Sequence, residues 1–231
     1  MFKPDDLLQW TRARIPEANV LRADDGETEG FLFYRGLGSF EPGLHTTVDD
    51  EETLTLRNDT GGTIPHLLVY EKMDDGATRW LESTKVLAAG EALDIPEDQL
   101  GKGDPGFDRR LYRNLRDRLA DQGLLRSEAD AMVQTWWQSY FERPGLRVFW
   151  VLPDSRTDAI LPLSVTPVPD KIVRVIVGRS EVIRPRHERE WLRLARSGND
   201  EDQQRLARIR IDRFGLAYQE RIDALTKTAK R

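Results

Sequence analysis

Residues 145–183, GLRVFWVLPDSRTDAILPLSVTPVPDKIVRVIVGRSEVI, hold the densest apolar content of the chain and three runs patterned as strands. In the first, 146–152, Leu146, Val148, Trp150 and Leu152 share one face at period two, while Phe149 and Val151 accompany Arg147 on the other. A strand that is apolar on both faces is one covered on both sides. The third run, 171–178, sets Val173, Val175 and Val177 against Ile172, Arg174 and Ile176. The middle run, 160–165, is broken by Pro162, which has no amide hydrogen to give a ladder and so predicts an edge or bulged strand. Turn residues separate the runs at 153–155 and 167–170. The expectation is a small sheet of closely spaced strands buried by the helices before and after it.

Upstream, residues 30–95 break into short strand-like runs at 31–34, 53–56, 64–70, 78–81 and 93–95. Between them lie turns at Gly36-Leu37-Gly38, Asn58-Asp59-Thr60-Gly61-Gly62, Asp74-Asp75-Gly76 and Ala88-Ala89-Gly90-Glu91. Short strands at near-regular spacing predict an all-β sandwich. The phrase LTLRNDTGGTIPHLLVYE resembles, at fold level, a hairpin region of immunoglobulin-like bacterial modules. Residues 1–28 read as an irregular lead-in to this domain, which is placed at 1–98.

The segment PEDQLGKGDPG, with three glycines and two prolines, marks the linker, placed at 99–106. Beyond it, Leu111, Leu115 and Leu119 form one helical stripe over 108–122, closed by Gly123. Ser127 followed by Asp130 resembles a capping box opening a second helix, which carries Met132, Val133, Trp136, Trp137 and Tyr140 and stops at Pro144-Gly145. These helices and the central strands make an α+β domain at 107–183. In 184–231, Pro185 suits a first helical turn, Trp191, Leu192 and Ala195 form a stripe, and Leu206, Ile209, Ile222 and Leu225 suggest a closing helical hairpin.

Composition narrows the function. With 39% apolar and 32% charged residues the chain reads as a soluble globular protein, and its net charge of −5 gives no footprint of a nucleic-acid binder. The absence of cysteine excludes thiol catalysis, disulfides and cysteine-held zinc. MFKPDDLLQW lacks the basic-then-apolar pattern of a signal peptide, and no run approaches the ~20 apolar residues needed to span a bilayer. As written, the chain reads as cytoplasmic.

Each candidate chemistry has a blander competitor. His187-Glu188-Arg189-Glu190 begins like a zincin helix but lacks the second histidine, so an exposed first turn is preferred. His45 and His66 both fall in the β domain and would have to meet across strands to hold a metal; ordinary surface or core histidines are preferred. Gly36-Leu37-Gly38-Ser39 lacks the third glycine and the following helix of a phosphate loop, and no Gly-x-Ser-x-Gly elbow appears. The arginines of the first helix, Arg109 to Arg118, share it with Asp108, Asp117 and Asp121, so pairing along the helix is the simpler account. Of Trp136 and Trp137, one is expected buried and one at an edge. Arg174 and Glu181 are expected to form a structural ion pair or to hold a ligand carboxylate.

The run AMVQTWWQSYFERPGLRVFWVLPDSRTDAILPLSVTPVPDKIVRVIVGRSEVI, preceded by FLFYRGLGSF and the sandwich strands, resembles a region of long, uncharacterised bacterial proteins. The resemblance covers residues 29–183. That family has no established activity, so it implies no catalytic residue. Many of its members resemble exported or envelope proteins with a further β region; a truncated form of such a protein is expected in the envelope.

The fold expected is α+β: an immunoglobulin-like β-sandwich, an α+β domain with helices on a small sheet, and a helical hairpin. The function expected is a non-catalytic binding or assembly module acting on another protein, with no cofactor, no metal and no nucleic acid. The alternative is a hydrolase-type enzyme with a site between the two domains, where Arg147 and Arg174 would be the polar groups. The candidate polar or interaction residues are His45, His66, Trp137, Arg147, Arg174 and Glu181.

Overall fold

The computed structural model describes residues 11–32, 38–83, 85–210 and 216–229. It is a mixed α+β fold with two main sheets. A 3-10 turn (Thr11–Arg14) and two paired dipeptide strands, β1 (Leu21–Arg22) and β2 (Thr28–Glu29), precede the core. Then come β3 (Leu44–Val48), β4 (Leu54–Asn58), β5 (Leu67–Lys72), β6 (Thr78–Glu82), β7 (Ala92–Ile95) and β8 (Gly101–Lys102). Helices α1 (Arg109–Asp121) and α2 (Arg126–Phe141) lead into β9 (Gly145–Val151), followed by α3 (Asp154–Ile160) and β10 (Val177–Val182). Helices α4 (Pro185–Arg196), α5 (Asp200–Arg210) and α6 (Leu216–Ala229) close the chain. The strand expected over 31–34 and the turn after it lie partly outside the described residues.

Strands β3, β4 and β7 form an antiparallel three-stranded sheet in the order β3-β4-β7. The larger sheet has the order β10-β9-β5-β6-β8, again antiparallel throughout. Alternation along β5 assigns its two faces. Leu67 and Val69 join Leu54, Leu56, Leu146, Val148 and Trp150 in the core between the sheets. Leu68 and Tyr70 turn the other way and pack with Leu111, Leu115 and Leu119 of α1, Val133 and Phe141 of α2, and Phe149 of β9. The larger sheet is thus the middle of three layers, and β5 and β9 are apolar on both faces because both are covered. The expected linker falls inside this layer: Gly101-Lys102 are β8 on the edge beside β6, and strands from either side of it pair with one another.

Local chemistry explains the helices. Asp108 caps α1, its carboxylate accepting from the amides of Arg110 and Leu111, and Gly123 follows the C-terminus at φ +102°. Helix α2 begins two residues earlier than a Ser127 cap would set it. Glu128 reaches back to the Leu125 amide, and Ser127 lies inside the helix. Pro185 opens α4 as expected, and Trp191, Leu194, Leu206 and Ile222 bind α4–α6 into a small third core.

The 145–183 stretch departs from its reading. The first run is β9, but 154–160 is helix, 161–176 is irregular, and the last strand begins only at Val177. The reason is the partner. Strand β9 pairs as far as Val151 with Val177, then the Leu152 amide donates one further bond to Ile176 O at 2.9 Å, and Pro153 turns the chain into α3. Residues 171–175 therefore have no strand to pair with, whatever their own periodicity, and Ile172 and Val173 stand exposed.

Gly178 lies opposite Trp150 in the β9–β10 register, and a Cβ there would overlap the indole ring, which is buried. Gly178→Val should lower unfolding stability by about 1–3 kcal/mol, as overpacking does, read as a fall in the denaturant midpoint. An unchanged midpoint would show that Trp150 has room to move.

Candidate functional site

Three groups of polar or aromatic side chains lie between the layers, and each is built by a different element. The first is the largest. Arg184, the residue before α4, is buried and grips buried Glu71 of β5 with two parallel bonds, Nε to Oε1 at 2.9 Å and Nη2 to Oε2 at 3.0 Å. Its third nitrogen, Nη1, donates to Glu52 through both the carbonyl (3.2 Å) and the carboxylate (3.0 Å). Glu52 sits in the β3–β4 turn at φ +64°, and that left-handed conformation goes with presenting both oxygens to one arginine. Arg79 adds a 2.6 Å bond to Glu71 and a contact to Glu97, while Arg186 binds Glu71 at 3.1 Å and Glu97 at 2.8 Å. Burial would raise the Glu71 carboxyl, but Arg184 and Arg79 outweigh it and hold it below the usual range. For Glu97 burial likewise opposes the arginines, which pull its pKa down to about 2. Three arginines thus meet three carboxylates, and the group ties α4 to both sheets.

The second group lies on the helix-facing side of β9 and β10. Arg147 and Glu181 are directly opposite in the register, with Nε to Oε1 at 3.1 Å. Arg147 also donates to the carbonyls of Arg143 (2.7 Å) and Pro144 (2.9 Å), satisfying oxygens just past the end of α2. Arg179 donates to Glu181 at 2.5 Å and to Ser139 O at 3.2 Å, and lies 4.7 Å from the centre of the Tyr140 ring. Tyr218 of α6 donates to Glu181 at 2.7 Å, and its hydroxyl pKa is pushed up by burial and by that carboxylate. Glu181 is therefore the shared acceptor that joins α2, the sheet and α6.

The third is a narrow apolar slot between the helices and the sheet, a cavity of about 20 Å³ walled by His66, Leu119, Val133, Trp136, Tyr140 and Val177. His66 is only 6% exposed, and its Nε2 has no hydrogen-bond partner. Its Nδ1 stands 3.8 Å from Glu82 Oε1, beyond hydrogen-bond range, and Glu82 is engaged by Arg118 and Asn114. Burial is the main reason the imidazole pKa falls to about 4; Glu82 opposes that fall and Arg118 adds to it. The ring is neutral at physiological pH.

Of the residues singled out in the sequence, Arg147 and Glu181 come together, but Arg174 does not join them. Arg174 lies on the irregular segment, paired with Asp158 at 2.9 Å and with Leu161 O. His45 is exposed on the outer face of the three-stranded sheet, 3.3 Å from Asp59, and so is separated from His66 by the inter-sheet core. Among the described residues no group of three or more metal-capable side chains converges. Trp136 and Trp137 are both half-buried, and Trp137 packs among Phe107, Tyr112 and Phe141. His187 is also half-buried, against Trp191, where an exposed turn was expected. Glu71, Arg79, Glu97, Arg184 and Arg179 were not foreseen. Glu71 carried the clearest signal, a carboxylate on the Leu67–Val69 face of an apolar run.

Comparison of the chain with protein-family models, curated proteins and solved structures gives no match. The geometry therefore carries the functional argument by itself.

Removing one partner of the buried pair leaves a charge stranded. Glu71→Gln or Arg184→Leu should each cost roughly 3–5 kcal/mol, and the double change Glu71→Leu/Arg184→Leu should cost less than the sum. A double-mutant cycle by chemical denaturation checks this; additive losses would mean the two side chains do not act as a pair.

His66 predicts a second pH effect, with its sign set by a lowered folded pKa. Below about 6.5 the unfolded chain takes up a proton that the folded ring refuses, so stability falls between pH 6.5 and 4 by up to about 3 kcal/mol. The carboxylate network loses stability in the same direction, but only below about pH 4.5. His66→Leu should flatten the upper limb and leave the lower one. A variant with the same slope from pH 6.5 to 5 would assign the effect elsewhere.

Proposed function

We propose that the chain is a non-catalytic binding or assembly module that acts on another protein, built on an immunoglobulin-like pair of sheets. The observation that carries this reading is an apolar strip on the irregular segment between α3 and β10. Leu161, Leu163, Val165, Val168, Ile172 and Val173 are 37–87% exposed there, close together in sequence and outside any helix or strand. Six exposed apolar side chains within thirteen consecutive residues are more than single scattered exposures, and such a concentration favours contact with a partner. The polar groups that an enzyme reading would use are already engaged: Arg147 by Glu181 and backbone carbonyls, and Arg174 by Asp158.

The immunoglobulin-like assignment rests on strand order. An immunoglobulin sandwich divides its strands so that the first two lie with the fifth, while the third lies between its hairpin neighbour and the last two. The orders β3-β4-β7 and β10-β9-β5-β6-β8 are compatible with that division once the edge dipeptide β8 is set aside, with α1 and α2 inserted before the penultimate strand. Membership of the bacterial family that the FLFYRGLGSF and TWWQSYF segments resemble is part of the same proposal.

The test is affinity retention from a lysate of the source organism, together with size-exclusion light scattering. The intact protein should retain a partner or self-associate, and Leu163→Ser/Val168→Ser/Ile172→Ser should lose that property with its melting temperature preserved. A protein that neither retains a partner nor self-associates would end the proposal.

A further inference from the structure

Helix α1 has a good cap in Asp108, but its first turn is otherwise crowded with positive charge. Its first turn contains no acidic residue, and Arg109, Arg110 and Arg113 crowd its N-terminal end. Cations there oppose the helix dipole, and at spacings of three and four residues they repel one another. Further along, the same helix balances its arginines: Arg116 pairs with Asp117, and Arg118 with Glu82 and Asp121. Among the described residues, no carboxylate pairs with Arg109, Arg110, Arg113 or the neighbouring Lys102, and all four are exposed.

What holds these side chains is neutral. Arg110 donates to Lys102 O at 2.9 Å and lies 5.7 Å from the centre of the Trp80 ring, and Arg113 donates to Arg109 O at 3.1 Å. These contacts orient the guanidinium groups without cancelling their charge. Beside them stands Phe107, 50% exposed, backed by Tyr112 at 5.2 Å and Trp137 at 4.6 Å between ring centres. Two carboxylates share the corner. Asp108 is buried, its oxygens taken by Trp80 Nε1 and by the amides of Asp104, Arg110 and Leu111. Asp104 accepts from the Gly106 amide. An open groove runs between β8 and the start of α1, lined by Lys102, Phe107, Arg109 and Arg110 together with Gly103, Asp104 and Asp108, the two carboxylates being those already turned to backbone amides and Trp80.

We propose that this corner, formed by Lys102, Phe107, Arg109, Arg110 and Arg113, docks an acidic segment of a partner protein, with one apolar side chain of that segment against Phe107. The proposal rests on the binding reading above and supplies the chemistry of the partner. Positive charge that repels itself along one helix turn and, among the described residues, has no carboxylate paired with it is positioned for an external anion. A polypeptide suits it better than a nucleic acid. The helical cations span only about 6 Å of axis, from residue 109 to 113, and the chain as a whole carries a net charge of −5, which would repel a long phosphate track.

The test uses the whole chain and a fluorescein-labelled peptide of aspartate and glutamate around a central leucine, with its asparagine–glutamine isostere as control. Fluorescence anisotropy should show binding of the acidic peptide only, weakening as salt is raised. Arg109→Gln/Arg110→Gln/Arg113→Gln should reduce affinity at least about tenfold while its melting temperature holds or rises, since the substitution relieves repulsion. Phe107→Ala should weaken the leucine-containing peptide and spare one without leucine. Equal binding of the neutral isostere, undiminished binding by the triple variant, or a lowered melting temperature in it would each overturn the proposal. Preferential binding of single-stranded oligothymidylate would overturn it in favour of nucleic acid. Repeating the lysate retention with the triple variant separates the two levels: the same partner held by both proteins removes this surface and leaves the binding reading intact.

Discussion

The structure depends on two strands having no solvent face. Strands β5 and β9 lie side by side in the middle of the larger sheet, and both alternate apolar residues to either side. Such a pair requires a layer on each face. The three-stranded sheet supplies one and the α1–α2 pair the other, so the order of layers follows from the side-chain pattern of these strands. Leucines at helical spacing on α1 and alternating leucines on β4 are the complementary halves of the same demand.

Polar groups inside this stack serve to fix its assembly. A buried arginine–glutamate pair is a weak source of net stability, because desolvation offsets most of the attraction, but a wrong arrangement that separates the partners is costly. Arg184 meets Glu71 and Glu52 at the point where α4 leaves the sheet, and Glu181 collects Arg147, Arg179 and Tyr218 at the opposite face. Each cluster joins elements from different layers: Arg184 links α4 to both sheets, and Glu181 links the sheet to α6. His66 is different in kind, a polar ring confined among apolar walls with one nitrogen unsatisfied. It costs stability in acid and gains no visible partner in return.

Much of this was readable in the sequence wherever the signal is local. The Leu111–Leu115–Leu119 stripe, Gly123, Pro185 and the two-faced pattern of β9 all carry their meaning within one turn or one strand. The reading failed where pairing decides the outcome. Residues 171–175 alternate as well as many strands do, yet they lack a strand neighbour because Pro153 ends the course of β9. Glu181 was matched with Arg174 by proximity in sequence, whereas the register sets it across from Arg147. The Arg184–Glu71 contact spans 113 residues, about half the chain, and no spacing rule reaches so far. The arginines of α1 were read as balanced by the aspartates around them. Only three-dimensional placement separates those that are paired from those that are not.

The pairing of β5 with β9 also governs how the chain reaches this state. Val69 meets Val148 only after the intervening strands, turns and both helices have been made, so the entropy of closing that long loop is incurred before the contact rewards it. Until then β5 keeps an apolar edge with unpaired amides and carbonyls, the feature most prone to intermolecular pairing. On the ribosome, the segment through Lys102 emerges without its β9 neighbour. The nascent chain is thus exposed to aggregation for as long as residues 103–151 take to appear.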